Sequence, residues 1–330
     1  MINRRRLVGL SAATMLAPAL GDRTAYAQDL SNRGWPSRFI RLIVPFTQGG
    51  PTDFVARLVA ERLTKGLGVQ VVIENRGGAG TNIGAELVAR ANPDGYTVLV
   101  GTSALAINRN LYRTLPYDAA TDLAPVSLMV LLPFFMFVPN SSPARSVAEF
   151  VVFAKANRGK VKFGSPGTGT PPHLAGELLK QLAGIEMTHV PYRGASDALN
   201  DLIPGRIDLF FASGATLEQA RAGQIRSLAV SSARRDDAAP ELPAIAETIP
   251  GFDVTSWYAL LVPAKTPPQI IEKLSIDTVT ALADPAVKGK LEQLGYTVAA
   301  STPDELGVQL KWDIGKWGTV IKAAGLGVSE

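Results

Sequence analysis

The feature that most constrains the fold is a unit that occurs twice along the chain. Each copy has a β-branched apolar run, a glycine-rich exit and then an amphipathic helix pattern; the copies span residues 40–101 and 160–212. Alternation of this kind predicts largely parallel sheets with helices on both faces. We therefore expect an α/β protein with two lobes, each a mixed, mostly parallel sheet flanked by helices.

The predicted lobes are joined by two extended crossings. Residues 126–138 form extended runs on both sides of Pro133, and a second crossing is expected between Ser227 and Trp257. Two lobes joined in this way make a hinged clamshell whose gap is the expected ligand site. We assign residues 28–131 and 254–330 to lobe 1 and residues 132–253 to lobe 2. The C-terminal helices expected at 269–282, 285–294 and 303–324 would pack onto lobe 1. The strand candidates are 40–46, 69–73, 97–101, 126–132, 134–138, 160–164, 187–190, 208–212, 227–231 and 258–262.

The N-terminus has the order of an export signal. Three arginines at residues 4–6 precede an uncharged stretch at 7–21, and Ala25-Tyr26-Ala27 offers a cleavage site before Gln28. The apolar stretch is shorter than the roughly 20 residues that a membrane span needs. We expect residues 1–27 to be a cleaved signal peptide of the Sec or the twin-arginine (Tat) type, and the mature protein to be soluble in the periplasm.

Composition excludes several classes of function. The leader carries four arginines and one aspartate, a net +3 of the chain's +4, so the mature chain keeps about one positive charge and binding to nucleic acid is not expected. The chain has no cysteine and only two histidines, so neither a disulfide framework nor a structural zinc site is expected. We expect no metal and no cofactor.

Four strand exits share a composition suited to binding an anion. They read T-Q-G-G-P-T-D at 47–53, E-N-R-G-G-A-G-T-N at 74–82, G-S-P-G-T-G-T-P-P at 164–172 and V-P-Y-R-G-A-S-D at 190–197. Glycines let the backbone approach a ligand, and the free N–H groups of a helix start favour negative charge. The alternative is that these are ordinary α/β connections, which also need glycine and an N-cap. The expected N-caps are Thr52 or Asp53, then Thr170 and Ser196.

A catalytic reading has less support. Ser165 and His173 would form a hydrolase pair only with an acidic partner, which the sequence does not supply, and Phe163 stands where a nucleophile elbow needs glycine. His189, inside a short strand, is expected to be structural. Asp53 and Arg57, four apart on one helix, are expected to be a cap and an ion pair. The expectation is a binding protein without catalysis.

Motifs over nearly the whole mature chain resemble one family. They include I-R-L-I-V-P-F with G-G-x-x-D-x-x-A-R at 40–57, E-N-R-x-G-A-G with N-I-G-A at 74–85, and P-D-G-Y-T at 93–97. P-Y-D at 116–118, G-S-x-G-x-G-x-x-x-H-L-A-x-E at 164–177, H-V-P-Y-R-G at 189–194 and S-W-Y-A-L-L-V-P-A-x-T-P at 256–267 follow. The chain resembles the Bug (TctC-like) family, the periplasmic solute receptors of tripartite tricarboxylate transporters.

The resemblance implies a monomeric, two-lobed periplasmic binding protein of the second structural type. Such a receptor holds a small organic or aromatic carboxylate through backbone N–H groups and passes it to membrane permease subunits. An alternative is a sensor role, in which the closed receptor docks on a membrane kinase. The ligand-binding residues implied by the matching motifs and strand exits are Phe46, Thr47, Gly49, Gly50, Thr52, Asp53, Gly78, Gly80, Thr81, Asn82, Thr102, Ser103, Ser165, Thr168, Gly169, Thr170, His173, Tyr192, Arg193 and Ser213.

Four positions depart from the family pattern. Gln48 replaces the usual proline, Pro51 stands at a commonly small position and Thr81 replaces a frequent glycine. Ser213 follows Ala212 where family members often have an acidic residue. An acid there would suit a ligand amino group, so we expect an organic acid with a neutral tail rather than an amino acid such as aspartate.

Overall fold

The computed structural model describes residues 34–237 and 239–327, so the predicted leader lies outside the described residues. These residues form a single ten-stranded sheet with helices packed on it. The strands are β1 (Ile40–Val44), β2 (Val71–Asn75), β3 (Thr97–Thr102), β4 (Leu123–Pro139), β5 (Lys162–Ser165), β6 (Thr188–Pro191), β7 (Leu209–Ser213), β8 (Ile225–Val230), β9 (Thr255–Pro263) and β10 (Thr297–Val298). The helices are α1 (Pro51–Leu67), α2 (Asn82–Ala89), α3 (Ala104–Leu111), α4 (Val147–Ala156), α5 (Pro171–Ala183), α6 (Ala195–Leu202), α7 (Leu217–Arg221), α8 (Pro268–Ala283), α9 (Pro285–Gln293) and α10 (Pro303–Ala323).

The strand order divides the sheet into two halves that share β4. In lobe 1 the order is β2-β1-β3-β9-β4, with β1 parallel to β2 and β3, and with β9 and β10 antiparallel to β4. In lobe 2 the order is β4-β7-β5-β6, with β5 parallel to β6 and β7, and with β8 also pairing with β4. Each half is therefore a mixed sheet with three parallel strands, and the two-lobed α/β prediction is confirmed.

The prediction of two separate runs around Pro133 is wrong, because β4 is one continuous strand. Pro133 is its last residue paired with β9, opposite Thr255, and Phe134 is already paired with β7. A proline lacks the N–H that a ladder uses, and it is tolerated here where the strand changes partner. The predicted lobe limits at 131/132 and 253/254 stay a prediction; the change of partner lies close to the first of them.

The second connection between the lobes is tied to β4 through Ser231. Its N–H donates to Phe134 O at 2.8 Å, and its buried hydroxyl accepts from Phe134 N at 2.9 Å. The same hydroxyl donates to Val254 O at 2.5 Å, and Val254 N donates to Ser231 O at 2.8 Å. One buried residue therefore joins both crossing segments where the lobes meet.

The C-terminal helix α10 packs on both lobes, not on lobe 1 alone as predicted. It contacts α3 of lobe 1 and α5 of lobe 2. The buried carboxylate of Asp313 on this helix accepts from the indole N–H of Trp257 at 2.7 Å, and Trp317 one turn later is also buried. An amphipathic pattern shows that a helix has an apolar face but does not show which neighbour covers it. The contact of α10 with lobe 2 could therefore not be predicted from the sequence. No helix in the described part of the chain is both long and apolar enough to cross a membrane.

Candidate ligand site between the lobes

The first loop, between β1 and α1, is organised by Asp53. The helix begins at Pro51 with Gly50 as its N-cap, so the expected caps Thr52 and Asp53 are wrong. Proline suits the first helical turn, where its missing N–H is not needed. The Asp53 carboxylate, 1% exposed, accepts from Gly49 N at 3.0 Å and from Arg57 Nε at 2.8 Å. Asp53 thus fastens the loop onto its own helix.

Asn75, a residue absent from the predicted site, connects the first loop to the second. Its side-chain amide donates to Phe46 O at 3.1 Å and to Asp53 Oδ1 at 2.9 Å. Burial by itself opposes ionisation of Asp53, but the hydrogen bonds from Arg57, Gly49 and Asn75 outweigh it and hold the pKa of Asp53 below its ordinary value. The carboxylate is therefore ionised, and its oxygens are engaged within the protein rather than facing a ligand.

The second loop runs from Gly77 to Asn82 and lies directly against the first. A Cβ at Gly77 would be 3.4 Å from the carbonyl carbon of Phe46, so the two backbones are in contact there. Thr81 and Asn82 are buried, whereas Gly78 and Gly80 are exposed. The two first-lobe loops therefore form one surface of backbone and small side chains at the carboxyl ends of β1 and β2.

Hydroxyl groups from β3 and β9 adjoin this surface. Ser103 Oγ lies 2.7 Å from Ser256 Oγ, and Thr102 Oγ1 accepts from Ala104 N at 3.3 Å. The Thr52 side chain lies close to the hydroxyl of Tyr258. Ser256 and Tyr258 belong to β9, far along the chain, and are absent from the predicted site.

In lobe 2, Ser165 pairs with His189 and not with His173. Ser165 Oγ is 2.7 Å from His189 Nε2, and it donates to Gly167 O at 2.9 Å. Ser165 is fully buried, and its hydroxyl is enclosed by these two partners. The disfavoured Ser165–His173 pair is therefore not formed. In the parallel pair of β5 and β6, His189 lies opposite Phe163, which is two residues from Ser165 and on the same face of the strand.

His173 instead holds the loop that precedes its helix. Its Nδ1 accepts from Gly169 N at 2.9 Å, which leaves the proton of the neutral ring on Nε2. Burial, together with the nearby His189 and Lys180, lowers the pKa of His173 to about 3. The ring is therefore neutral at ordinary pH and acts as a fixed hydrogen-bond acceptor.

The remaining lobe 2 candidates divide into engaged and exposed groups. Thr170 stands at the N-cap of α5, but its hydroxyl donates to Gly167 O at 2.7 Å instead of capping the helix. The hydroxyl of Tyr192 donates to Asp201 Oδ2 at 2.9 Å, and burial and this carboxylate raise the pKa of Tyr192 to about 12. Thr168, Arg193 and Ser213 are exposed.

The loop after Tyr192 leads into α6, whose start also differs from the prediction. Gly194 is the N-cap of α6 and the helix begins at Ala195, so Ser196 lies inside the first turn and is not its cap. A glycine N-cap has no side chain that could reach the helix N–H groups. These groups are therefore not covered by a capping side chain.

Two contacts bring the loops of the two lobes together. A Cβ at Gly169 would collide with the side chain of Leu111 on α3, so this lobe 2 loop touches lobe 1. At the exit of β7, a Cβ at Gly214 would be 3.7 Å from the Cα of Gly295, in the turn after α9. The segments that follow β5 and β7 in lobe 2 therefore touch lobe 1, and a ligand gap shared by the predicted loops stays a prediction. The predicted loops contain backbone N–H groups, hydroxyls and the exposed Arg193.

Comparison with known proteins identifies this architecture. Residues 55–326 match the model of the tripartite tricarboxylate transporter family receptor, TctC. A Pseudomonas sp. (strain P51) protein, "UPF0065 protein in tcbD-tcbE intergenic region", is 38% identical over 323 residues, which are 97% of this chain and 94% of the relative.

Two solved structures extend the comparison to known ligands. An R. palustris structure with adipate shares 37% identity and a TM-score of 0.74, covering 88% of this chain and 99% of that one. MatC from Rhodopseudomonas palustris with bound malate shares 30% identity and a TM-score of 0.71, covering 87% and 100% of the respective chains.

Proposed function

The chain belongs to the tripartite tricarboxylate transporter receptor family of periplasmic binding proteins, and we propose that it captures a small carboxylate between its lobes and delivers it to the membrane subunits of such a transporter. Adipate and malate, the ligands of the two structural relatives, are both carboxylates. The receptor works in the periplasm as a monomer, after removal of the predicted signal peptide.

One observation supports the proposal most: the segments that follow β5 and β7 in lobe 2 touch lobe 1. The first-lobe loops are joined by Asn75, and the lobe 2 loop at Gly169 rests against Leu111 of lobe 1. Helix starts with free N–H groups favour a negatively charged group. Such loops can hold a carboxylate through backbone N–H groups without a basic side chain, and Asp53 contributes by holding its loop in place.

Ligand binding is coupled to closure of the lobes. A carboxylate that contacts loops of both lobes binds the closed form better than the open form, and it shifts the population only by that difference in affinity. Closure also removes water from the charged group, which strengthens its hydrogen bonds to the backbone. The permease subunits then recognise the closed form.

The far end of the ligand is a neutral tail. β7 ends in Ala212 and Ser213, with no acidic side chain at this exit to pair with an ammonium group. Calorimetry tests the neutral tail: tight binding of aspartate or glutamate, without binding of plain carboxylates, would contradict the proposal.

The test is a thermal-shift screen of the mature protein against mono-, di- and tricarboxylates and aromatic acids. A ligand at about 100 times its Kd adds roughly 2.7 kcal/mol of stability, which is readily detected. Refolded protein is screened in parallel, because a co-purified ligand would mask the shift. No response across the panel would refute carboxylate capture.

The route after capture needs a second measurement. Pull-down of membrane proteins with and without the carboxylate found in the screen separates delivery to permease subunits from docking on a sensor kinase. Ligand-dependent recovery of the permease subunits supports transport, and recovery of a kinase in their place contradicts it.

A further inference from the structure

The loop between β2 and α2 has a backbone conformation that most residues avoid. Four successive residues have positive φ: 125° at Gly78, 46° at Ala79, 63° at Gly80 and 84° at Thr81. Glycine tolerates these angles, but Ala79 and the β-branched Thr81 are strained by them. Strained residues of this kind persist only where surrounding contacts hold them. The loop therefore depends on residues that are not part of it.

Asn108 on α3 supplies the main restraint. Its side chain is 4% exposed, and Nδ2 donates to Gly80 O at 2.6 Å and to Asn82 Oδ1 at 2.8 Å. Both N–H groups of this amide are thus directed at the loop. One side chain fixes the peptide group between Gly80 and Thr81 and also the first residue of α2.

Tyr117 restrains the same point through a second hydrogen bond. Its hydroxyl, buried in lobe 1, donates to Asn82 Oδ1 at 2.9 Å. Asn82 Oδ1 therefore accepts from both Asn108 and Tyr117, which fills its two acceptor positions. Burial, reinforced by the nearby Tyr112, raises the pKa of Tyr117 above its ordinary value of 10.0, so the phenol stays protonated and remains a donor.

The loop's own side chains do not take over this task. Thr81 Oγ1 is buried and has no hydrogen-bond partner among the described residues. Gly80 has no space for a side chain, since a Cβ there would be 2.9 Å from the Tyr112 hydroxyl. Within the loop, two backbone bonds close the turn, from Thr81 N to Gly78 O at 3.1 Å and from Asn82 N to Ala79 O.

We infer that Asn108 and Tyr117 are positioning residues for solute binding. They hold the turn from Ala79 to Thr81 in the one strained arrangement that presents the backbone N–H groups of Ala79 and Gly80 to a carboxylate, and they act without touching the solute. The inference rests on the proposed function, because a preorganised turn raises affinity only if the carboxylate binds there.

The variants that test this are Asn108→Ala and Tyr117→Phe, with Asn110→Ala as the matched control. Asn110 lies on the same helix and also donates two hydrogen bonds to backbone oxygens, to Ala106 O at 3.2 Å and to Ile314 O at 2.9 Å. It faces α10 and not the loop. A purely structural weakening of α3 would therefore affect Asn110→Ala as well.

Hydrogen–deuterium exchange of peptides covering residues 77–83 is measured first, without added solute. We expect Asn108→Ala to accelerate exchange there by about tenfold or more, Tyr117→Phe to act in the same direction by less, and Asn110→Ala to leave this segment unchanged. Unchanged exchange in both loop variants would overturn the inference, as would an equal effect of Asn110→Ala. If Asn108→Ala does not fold, the exchange of residues 77–83 in Tyr117→Phe decides whether the inference holds.

Calorimetry with adipate and with malate is the second readout. For whichever of these the wild type binds, we expect Asn108→Ala to weaken affinity about tenfold and Asn110→Ala to leave it within about twofold. Looser exchange with unchanged affinity would overturn the positioning role. If the wild type binds neither, and nothing in the wider carboxylate panel, the proposed function fails; the exchange data still decide whether Asn108 and Tyr117 hold the turn.

Discussion

The imidazole rings of His173 and His189 are stacked in lobe 2, with centroids 3.7 Å apart and planes 17° from parallel. Phe163 packs against both rings, and Ser165 hydrogen-bonds His189. The stack also lies near the Glu177–Lys180 ion pair. Two rings in this contact cannot both become cations without strong repulsion. The two histidines therefore have a structural role, packing against each other and holding the loop after β5 in lobe 2.

This stack predicts a loss of stability in weak acid. Burial lowers the pKa of His173 to about 3 and that of His189 to about 4, from an ordinary value of 6.5. Because both values are depressed, the contribution of the neutral rings is complete above pH 6.5 and falls as pH decreases toward 4 and 3. The slope of unfolding free energy approaches about 1.4 kcal/mol per pH unit for each ring, as an upper limit.

The measurement is urea unfolding between pH 7.5 and 5.5, above the range where carboxylates titrate, together with NMR of the imidazoles. The chain has only two histidines, so both resonances belong to this pair. We expect neither to titrate above pH 5 in the folded protein. His189→Phe keeps a ring on His173 and removes one titrating group, so the slope should decrease. A histidine titrating near pH 6.5 would contradict the prediction.

The alternation of strands and helices could be predicted because it is local. A strand has a period of two residues and a helix of 3.6, so the apolar pattern around each element is visible in a short window. The helix ends were less accurate, since Gly50 and Gly194 serve as N-caps in place of the expected hydroxyl and carboxyl residues. Pro51, which starts α1, was the available signal for its position.

The residues that hold the site loops could not be predicted in this way. Asn75 reaches Asp53 over 22 positions, Asn108 reaches Asn82 over 26, and Tyr117 reaches Asn82 over 35. Such hydrogen bonds exist only once β1, β2 and β3 lie side by side and α3 packs beside them. Sequence motifs identified the loops, whereas the groups that give the loops their shape depend on tertiary structure.

The first loop predicts different outcomes for its two adjacent glycines. Gly49 has φ of 83°, where alanine is strained by about 1–2 kcal/mol, and its N–H donates to Asp53. In the free protein the loop can relieve this strain by changing its conformation. Binding then has to restore the strained conformation, so the strain lowers the affinity for the carboxylate. We expect Gly49→Ala to weaken carboxylate affinity roughly tenfold by calorimetry.

Gly50→Ala is the control for this prediction. Gly50 has φ of −79°, and a Cβ there meets only Thr47 O, at an ordinary 3.6 Å. Alanine keeps the N–H group and the backbone conformation at position 50, so the affinity of Gly50→Ala should stay within about twofold of wild type and its thermal unfolding should show little change. Equal affinities for the two variants would mean that the conformation at Gly49 is not needed for binding.

The bond between Trp257 and Asp313 predicts a loss of global stability. The indole N–H donates to the carboxylate at 2.7 Å, and both side chains are 1% exposed or less. Trp257→Phe removes the donor and leaves a buried carboxylate less satisfied, which should cost about 1.5–3 kcal/mol in urea unfolding. Trp312 is half exposed and lies on the same helix as Asp313, so Trp312→Phe should cost less than about 1 kcal/mol. Similar losses for both variants would refute the role of the buried bond.

The contact between Gly169 and Leu111 predicts that a single methyl group impairs closure of the lobes. An alanine at position 169 would collide with the Leu111 side chain of the opposite lobe. We expect Gly169→Ala to bind its carboxylate at least about tenfold more weakly, mainly through faster dissociation. The radius of gyration measured by small-angle X-ray scattering should also decrease less on saturation than in the wild type.

Leu111→Ala separates this collision from local strain at Gly169, where φ is 78°. In the double variant Gly169→Ala/Leu111→Ala, the shorter side chain at position 111 leaves room for the methyl group added at position 169. The decrease in radius of gyration on saturation should therefore return. The backbone strain of alanine at position 169 remains, so affinity should recover only in part. If the radius of gyration of Gly169→Ala alone decreases on saturation as much as that of the wild type, the closed form accommodates the added methyl group. The contact between Gly169 and Leu111 then does not limit closure.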